Sequence, residues 1–291
     1  MTTYALFIGC NIPARVPQYK EAAQAVLSEL GISLVEFPEF VCCGYPVRNI
    51  NRESFLQSSA TNLAIAEKAG LPVLTLCKCC FGNLAEASHA LNKSDDLKNE
   101  INTRLTSEGL TFNGTGEINH LLQVLYNRIG TKIIKEKIKK FYKDIVIAAH
   151  YGCHALRPSS ITKFDDPFSP HIFDDLIEVT GAKSADWDMK TECCGAPLTG
   201  INNNLAVALM NRKTASAIKA KADFIATACP YCHIQFDTFQ NTSDKDKMKE
   251  ALPPVLFPQL LGLAMGLSPK ILGIDKNNMD ISKIRSFLSE E

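Results

Sequence analysis

The chain has 291 residues, 46% hydrophobic and 21% charged, which is enough to bury a sizeable core in one domain or two fused halves. Its 31 basic residues balance its 31 acidic ones, so no global field draws it onto nucleic acid. The first residues carry no positive n-region or cleavage site, and the longest apolar-rich stretch, 255–267, falls short of the ~20 residues a membrane-spanning helix needs. A cytoplasmic protein with no membrane span is expected, and there its eleven cysteines are better metal candidates than disulfide candidates.

In chain order, a β-rich run over 4–8 ends at Gly9-Cys10. Apolar positions at helical spacing (Ala22, Ala25, Val26, Leu30) predict a helix over 17–30, closed by Gly31. Residues 32–37 alternate like a strand and lead to a turn at Cys42-Cys43-Gly44. A helix over 53–69 and a buried strand over 72–76 then deliver Cys77. Residues 93–143 are more polar, with helical patterns at 95–107, 118–129 and 132–142, and read as a connector packing helices onto the first half. Its lysines (132, 135, 137, 139, 140, 143) read as a solvated helix face, with a docking surface as the sharper alternative. The order then repeats: a strand over 144–149 before Cys153, a helix over 170–180, a short strand near 183–187 before Cys193-Cys194, a helix over 203–219, and a strand over 223–228 before Cys229. A Pro-broken helix near 255–267, also a candidate docking surface, precedes a charged, loose C-terminus. Strands alternating with helices predict an α/β fold of two pseudo-symmetric halves, 1–143 and 144–291, each a small, mostly parallel sheet with flanking helices.

The repeat is most explicit in the cysteines. Cys42-Cys43-Gly44-Tyr45-Pro46 recurs as Cys193-Cys194-Gly195-Ala196-Pro197. One cysteine lies upstream of each pair, Cys10 or Cys153, with 31 or 39 residues between. A C-x-x-C lies downstream, Cys77/Cys80 or Cys229/Cys232, with 33 or 34 residues between. Ten cysteines thus fall into two sets of five, and Cys79 is left over. Soft thiolate sets select zinc, copper(I) or iron–sulfur clusters. Zinc and an ordinary cubane cluster each use four ligands, whereas each half offers five. Adjacent cysteines point in different directions, awkward for one tetrahedral zinc but natural for two irons of a larger cluster. Zinc in at least one half, or redox disulfides, are the alternatives. Gly44 and Gly195 are expected to let the backbone approach the cluster, and Gly9 and Gly152 to place small backbone against it.

The spacing C-x(31–39)-C-C-G-x(~33)-C-x-x-C, twice over, resembles the CCG domain and covers nearly the whole chain. The segments around Cys10, Glu39 to Gly44, His150 to His154, Cys193 to Pro197 and Ala228 to Cys232 resemble the B subunit of CoB–CoM heterodisulfide reductases. The resemblance implies two noncubane [4Fe-4S] clusters, one on Cys10, Cys42, Cys43, Cys77 and Cys80, the other on Cys153, Cys193, Cys194, Cys229 and Cys232. It implies reduction of the disulfide CoM-S-S-CoB, as in methanogenesis. It also implies electron delivery through a small ferredoxin-like iron–sulfur subunit from a flavin-bearing subunit, with a hydrogenase or formate dehydrogenase as further partner. Electron transfer or quinone-linked anchoring in another redox complex, or reduction of a different disulfide, is the alternative. No G-x-G-x-x-G fingerprint offers the chain its own nucleotide cofactor.

His154, beside Cys153, is the candidate proton donor, because disulfide reduction consumes two protons and imidazole titrates in the right range. His150 and His233 follow it as candidates, whereas His89, His120 and His171 read as surface residues. The resemblance implies an anionic substrate, for which Arg15, Arg48, Lys78, Arg157, Arg212 and Lys213 are candidate contacts; each taken singly reads as a surface charge.

Overall fold

The computed structural model describes residues 2–240 and 251–290. Its strands are β1 (Thr3–Phe7), β2 (Ser33–Val35), β3 (Val73–Thr75), β4 (Ile118–His120), β5 (Lys140–Tyr142), β6 (Val146–His150), β7 (Lys183–Ser184), β8 (Phe224–Thr227), β9 (Pro254–Leu256) and β10 (Leu288–Glu290). Two four-stranded sheets have the orders β2-β1-β3-β4 and β7-β6-β8-β9, the same order twice, and every pairing within them is parallel. The duplication read from the cysteines is therefore a duplication of topology.

The two sheets share their cores. Tyr4 and Leu6 of β1 face one apolar cluster and Ala5 and Phe7 the other, as period-2 alternation requires; Ile147 and Ala149 of β6 join the first, and Ala148 the second. Each half also starts its long helix the same way. Asn51 accepts from the Ser54 N–H to cap Arg52–Lys68, and Asn202 accepts from the Leu205 N–H to cap Asn203–Lys219.

The connector and the tail differ from expectation. The helical pattern at 118–129 is a three-residue strand, β4, completing the first sheet, followed by helix from Leu121. The pattern at 132–142 is a helix, Thr131–Lys137, then β5, which pairs antiparallel with β10. The C-terminal segment is accordingly anchored to the connector through residue 290. The stretch near 255–267 is β9 plus the helix Phe257–Ala264, every residue of which is buried, packed against the helix Pro17–Glu29. It is core, not a docking surface: its apolar residues meet Ala22, Ala23 and Val26 in the same cluster. Leu260→Ala is expected to lower stability by about 2–5 kcal/mol, seen as an earlier urea midpoint. An unchanged midpoint would return this segment to the surface.

Candidate cluster sites

In an open parallel sheet the crevice for a ligand lies beyond the carboxyl ends of the strands, where the strand order reverses. Here that point falls between β1 and β3, and again between β6 and β8. Cys10 follows β1 and Cys77 follows β3; Cys153 follows β6 and Cys229 follows β8. The Cys-Cys turns swing over the same edges. Gly44 and Gly195 take φ of +80° and +85°, and a Cβ would lie 3.0 Å from the Phe55 backbone or 2.6 Å from the Ala206 oxygen. Contrary to expectation, what their missing side chains make room for is the following helix, not the sulfur cavity. Gly9 does face sulfur, since its Cβ would lie 2.9 Å from Cys80 Sγ.

Two cavities result. One is lined by Cys10, Cys42, Cys43, Cys77 and Cys80. The other is lined by Cys153, Cys193, Cys194, Cys229 and Cys232. All eleven cysteines are free thiols. The cavities touch: Cys77 Sγ lies 3.9 Å from Cys229 Sγ. Of the residues inside each C-x-x-C, Lys78 lines the second cavity and Pro230 the first, whereas Cys79 and Tyr231 line both. Cys79, unassigned by sequence, thus lies on the boundary, its sulfur within 4.8 Å of those of Cys77 and Cys229.

The adjacent cysteine pairs titrate alike in the two sets. Hydrogen bonds from Cys10 and then Cys43 pull Cys42 down to about 2, and those from Cys153 and Cys194 pull Cys193 down to about 2. In return Cys43 and Cys194 are each pushed up to about 12. In each set three of the five thiols, Cys10, Cys43 and Cys80 or Cys153, Cys194 and Cys232, are held against ionisation by their neighbours and by burial. Only a bound cationic centre lets five such sulfurs lose their protons together, so the donor set fits an iron–sulfur cluster.

An open cleft of about 710 Å³ abuts the second set, lined by Cys153, His154, Tyr45, Arg48, Gly82, Glu86 and Arg157. His154 Nδ1 is 3.3 Å from Cys153 Sγ and 3.5 Å from Cys79 Sγ, and its ring stands edge-on to Tyr45. Gly82 clears space for it; a Cβ there would lie 2.7 Å from the His154 carbonyl oxygen. Burial pulls the His154 pKa below the usual imidazole value.

The other candidates scatter. Arg48 donates to Asn83 Oδ1 at 2.7 Å and to Glu86 at 2.8 Å; Arg157 is exposed on the cleft, and Arg15 and Arg212 are exposed. Lys78 and Lys213 are not surface charges: both are fully buried, held by backbone carbonyls and aromatic rings. Nor is His120 a surface residue. It caps the turn after β4 by accepting from the Leu122 N–H, sits 3.0 Å from the Ala228 oxygen, and is held by burial at about 3. His89 is half-buried and His171 exposed. His150 and His233 are buried, the latter with Nδ1 3.2 Å from Thr227 Oγ1. Sequence reasoning missed Asn83, whose Nδ2 donates to Cys43 Sγ at 3.8 Å, and Asn62, which donates to the Cys42 carbonyl at 3.3 Å. Asn62 follows its helix cap by as many residues as Lys213 does, and that alignment was the available signal.

A family model for a cysteine-rich domain, CCG, matches residues 4–85 and again 147–237, each match containing one five-cysteine set. The chain belongs to the CCG family. This CCG protein is 37% identical over 283 residues to the B subunit of the ferredoxin:CoB-CoM heterodisulfide reductase of Methanosarcina mazei, covering 95% of this chain and 94% of that one. It is 32% identical over 283 residues to the 8-methylmenaquinol:fumarate reductase membrane anchor subunit of Wolinella succinogenes, covering 97% and 98%. A crystal structure of a hypothetical protein from Helicobacter pylori superposes with a TM-score of 0.77 at 20% identity, over 97% of this chain and 52% of that one, so this CCG chain spans about half of it. That likeness concerns fold alone. Among the described residues no helix is long and apolar enough to cross a membrane.

Proposed function

We propose that this chain is the disulfide-reducing subunit of a heterodisulfide reductase complex, with a noncubane [4Fe-4S] cluster on each five-cysteine set and CoM-S-S-CoB as substrate. The observation that carries the reading is the contact of the two cysteine cavities at Cys77 and Cys229, beside a cleft that holds His154. The similarity to the heterodisulfide reductase of Methanosarcina mazei supports the choice of disulfide. When bound, the clusters supply one-electron redox capacity on both sides of that contact.

The chain's own residues supply shape, charge and protons. Arg48 and Arg157 give the cleft positive charge for an anionic substrate, with Arg48 fixed in place by Asn83 and Glu86. Tyr45 and Tyr231 meet edge to face and line the first cavity. Splitting a disulfide into two thiols consumes two electrons and two protons. His154 holds one of those protons at Nε2, the ring nitrogen not engaged with the sulfurs of Cys79 and Cys153. The buried ring is neutral at rest and takes up its proton when negative charge develops beside it. Two cavities of this kind need an external electron source, for which a ferredoxin-like iron–sulfur subunit and a flavin-bearing subunit are the proposed partners.

The similarity to a membrane anchor subunit favours a second reading, an electron-transfer protein serving a quinone-linked reductase. The two part on one experiment. The purified complex, supplied with reduced viologen dye and CoM-S-S-CoB, is expected to oxidise the dye with release of two thiols per disulfide. Dye oxidation by a quinone and none by the disulfide would sink the first reading.

A further inference from the structure

The duplication makes the two cavities comparable residue by residue, and they differ in one consistent respect. Phe7 and His150 end β1 and β6, each two residues before its Gly-Cys turn. They fill the same niche: a Cβ on Gly9 would meet Cys80 Sγ at 2.9 Å and Phe7 Cε1 at 3.7 Å, and one on Gly152 would meet His150 Nε2 at 3.3 Å and Cys232 Sγ at 3.7 Å. One niche holds hydrocarbon, the other an imidazole. His150 is fully buried, and neither of its ring nitrogens has a hydrogen-bond partner among the described residues. One nitrogen lies within 4.8 Å of the sulfurs of Cys194 and Cys232.

The second difference is on the long helices. Asn62 accepts from the Val41 N–H at 2.8 Å and donates to the Cys42 carbonyl, holding the approach to the first Cys-Cys turn. Lys213 does the same mechanical work for the second, donating to the carbonyls of Met189 and Glu192, but carries a charge. The third lies inside the C-x-x-C, where Pro230 lines the first cavity and Lys78 the second. Lys78 Nζ donates to the carbonyl of His150 at the end of β6 at 2.8 Å, and Lys213 Nζ to that of Glu192, the residue before Cys193, at 2.9 Å. The first set has amide donors, from Asn83 to Cys43 and from Asn11 to the exposed Cys10, both at 3.8 Å, but neither amide carries a charge.

We propose that His150, Lys78 and Lys213 make the second cysteine set the stronger electron acceptor of the two, so that a single electron reaching the pair settles there. The proposal rests on the reading that both sets hold iron–sulfur clusters. Its physical basis is that an added electron makes a cluster more negative. A buried cation, or an N–H aimed at the ligand sulfurs, then stabilises the reduced form more than the oxidised one and raises the potential. In a water-excluded cavity that effect is weakly screened. His150 needs no protonation for this role: a neutral ring still carries one N–H. The cleft with His154 opens beside Cys153 of this same set, so the electron settles where the proton donor stands.

The test is an anaerobic redox titration of the whole loaded chain, followed by electron paramagnetic resonance. Cys42→Ala and Cys193→Ala assign the signals to the two sets. The second-set signal is expected to appear at the higher potential. His150→Phe and Lys213→Asn, which copy the residues of the first half, should each weaken its reduction at least tenfold. For a one-electron couple that is a shift of about 59 mV downward, with the first set unmoved. Phe7→His should move the first set upward. A higher potential at the first set in the parent protein overturns the proposal, as does an unmoved second set in both variants at full iron content. Should the second-half variants lose iron, Phe7→His decides, and no upward shift overturns it. A parent chain with no iron or labile sulfide defeats the cluster reading itself, a different result from equal potentials in a fully loaded chain.

Discussion

Cys42→Ala is expected to lose the first cluster alone, and Cys193→Ala the second alone, each lowering iron from about eight to about four atoms per chain. The expectation follows from the geometry. Cys42 and Cys193 each accept the hydrogen bonds of two neighbouring thiols, and each lines one cavity and not the other, so each variant removes a wall of one cavity alone. Anaerobic purification followed by iron and acid-labile sulfide analysis measures it. Stoichiometric zinc without labile sulfide in the parent protein would defeat the cluster assignment. Loss of all iron from either variant would show that the sets load as one unit, coupled through the 3.9 Å contact of Cys77 with Cys229.

His154→Ala is expected to keep both clusters and their spectra while losing turnover by a factor of about 10²–10⁴, the usual value of general acid catalysis. His154→Gln should behave alike, because an amide can hydrogen-bond to Cys153 and Cys79 but cannot deliver a proton at neutral pH. Steady-state reduction of the mixed disulfide by reduced dye, with the chemical step rate-limiting, reads the effect. Parent-like turnover in either variant would remove His154 as the acid. His150 does not stand next in line: it is sealed behind Gly152 and Phe236, away from the open cleft.

What could be read in the sequence was what local pattern encodes. The helix Asn203–Lys219 was legible in the sequence, and so were the central strands β1, β3, β6 and β8, each of which ends two or three residues before a cysteine. What could not be read depends on partners remote in the chain. β4 and β5 are three residues each, set in helical patterns, and become strands only because β3 and β10 offer edges. His120, Lys78 and Lys213 look like surface residues until folding brings the carbonyls of Ala228, His150 and Glu192 to them. The glycines of the Cys-Cys-Gly turns were expected to allow a close backbone approach but were assigned the wrong neighbour, since the approach is to a helix that begins several residues later.

The reciprocal lining of the cavities has a consequence for assembly. Lys78 of the first half walls the second cavity and Pro230 of the second half the first, with Cys79 and Tyr231 shared between them, so neither half encloses its own ligand. Separate halves would have to meet by diffusion before either cavity closed, at whatever concentration the cell supplied. Joined in one chain, each half sees the other at the effective concentration of a short tether, in the millimolar range for flexible linkers. Closure then depends on folding and no longer on encounter, and a newly made chain is spared an interval in which two half-built nests of thiols lie open to oxidants and stray metal ions.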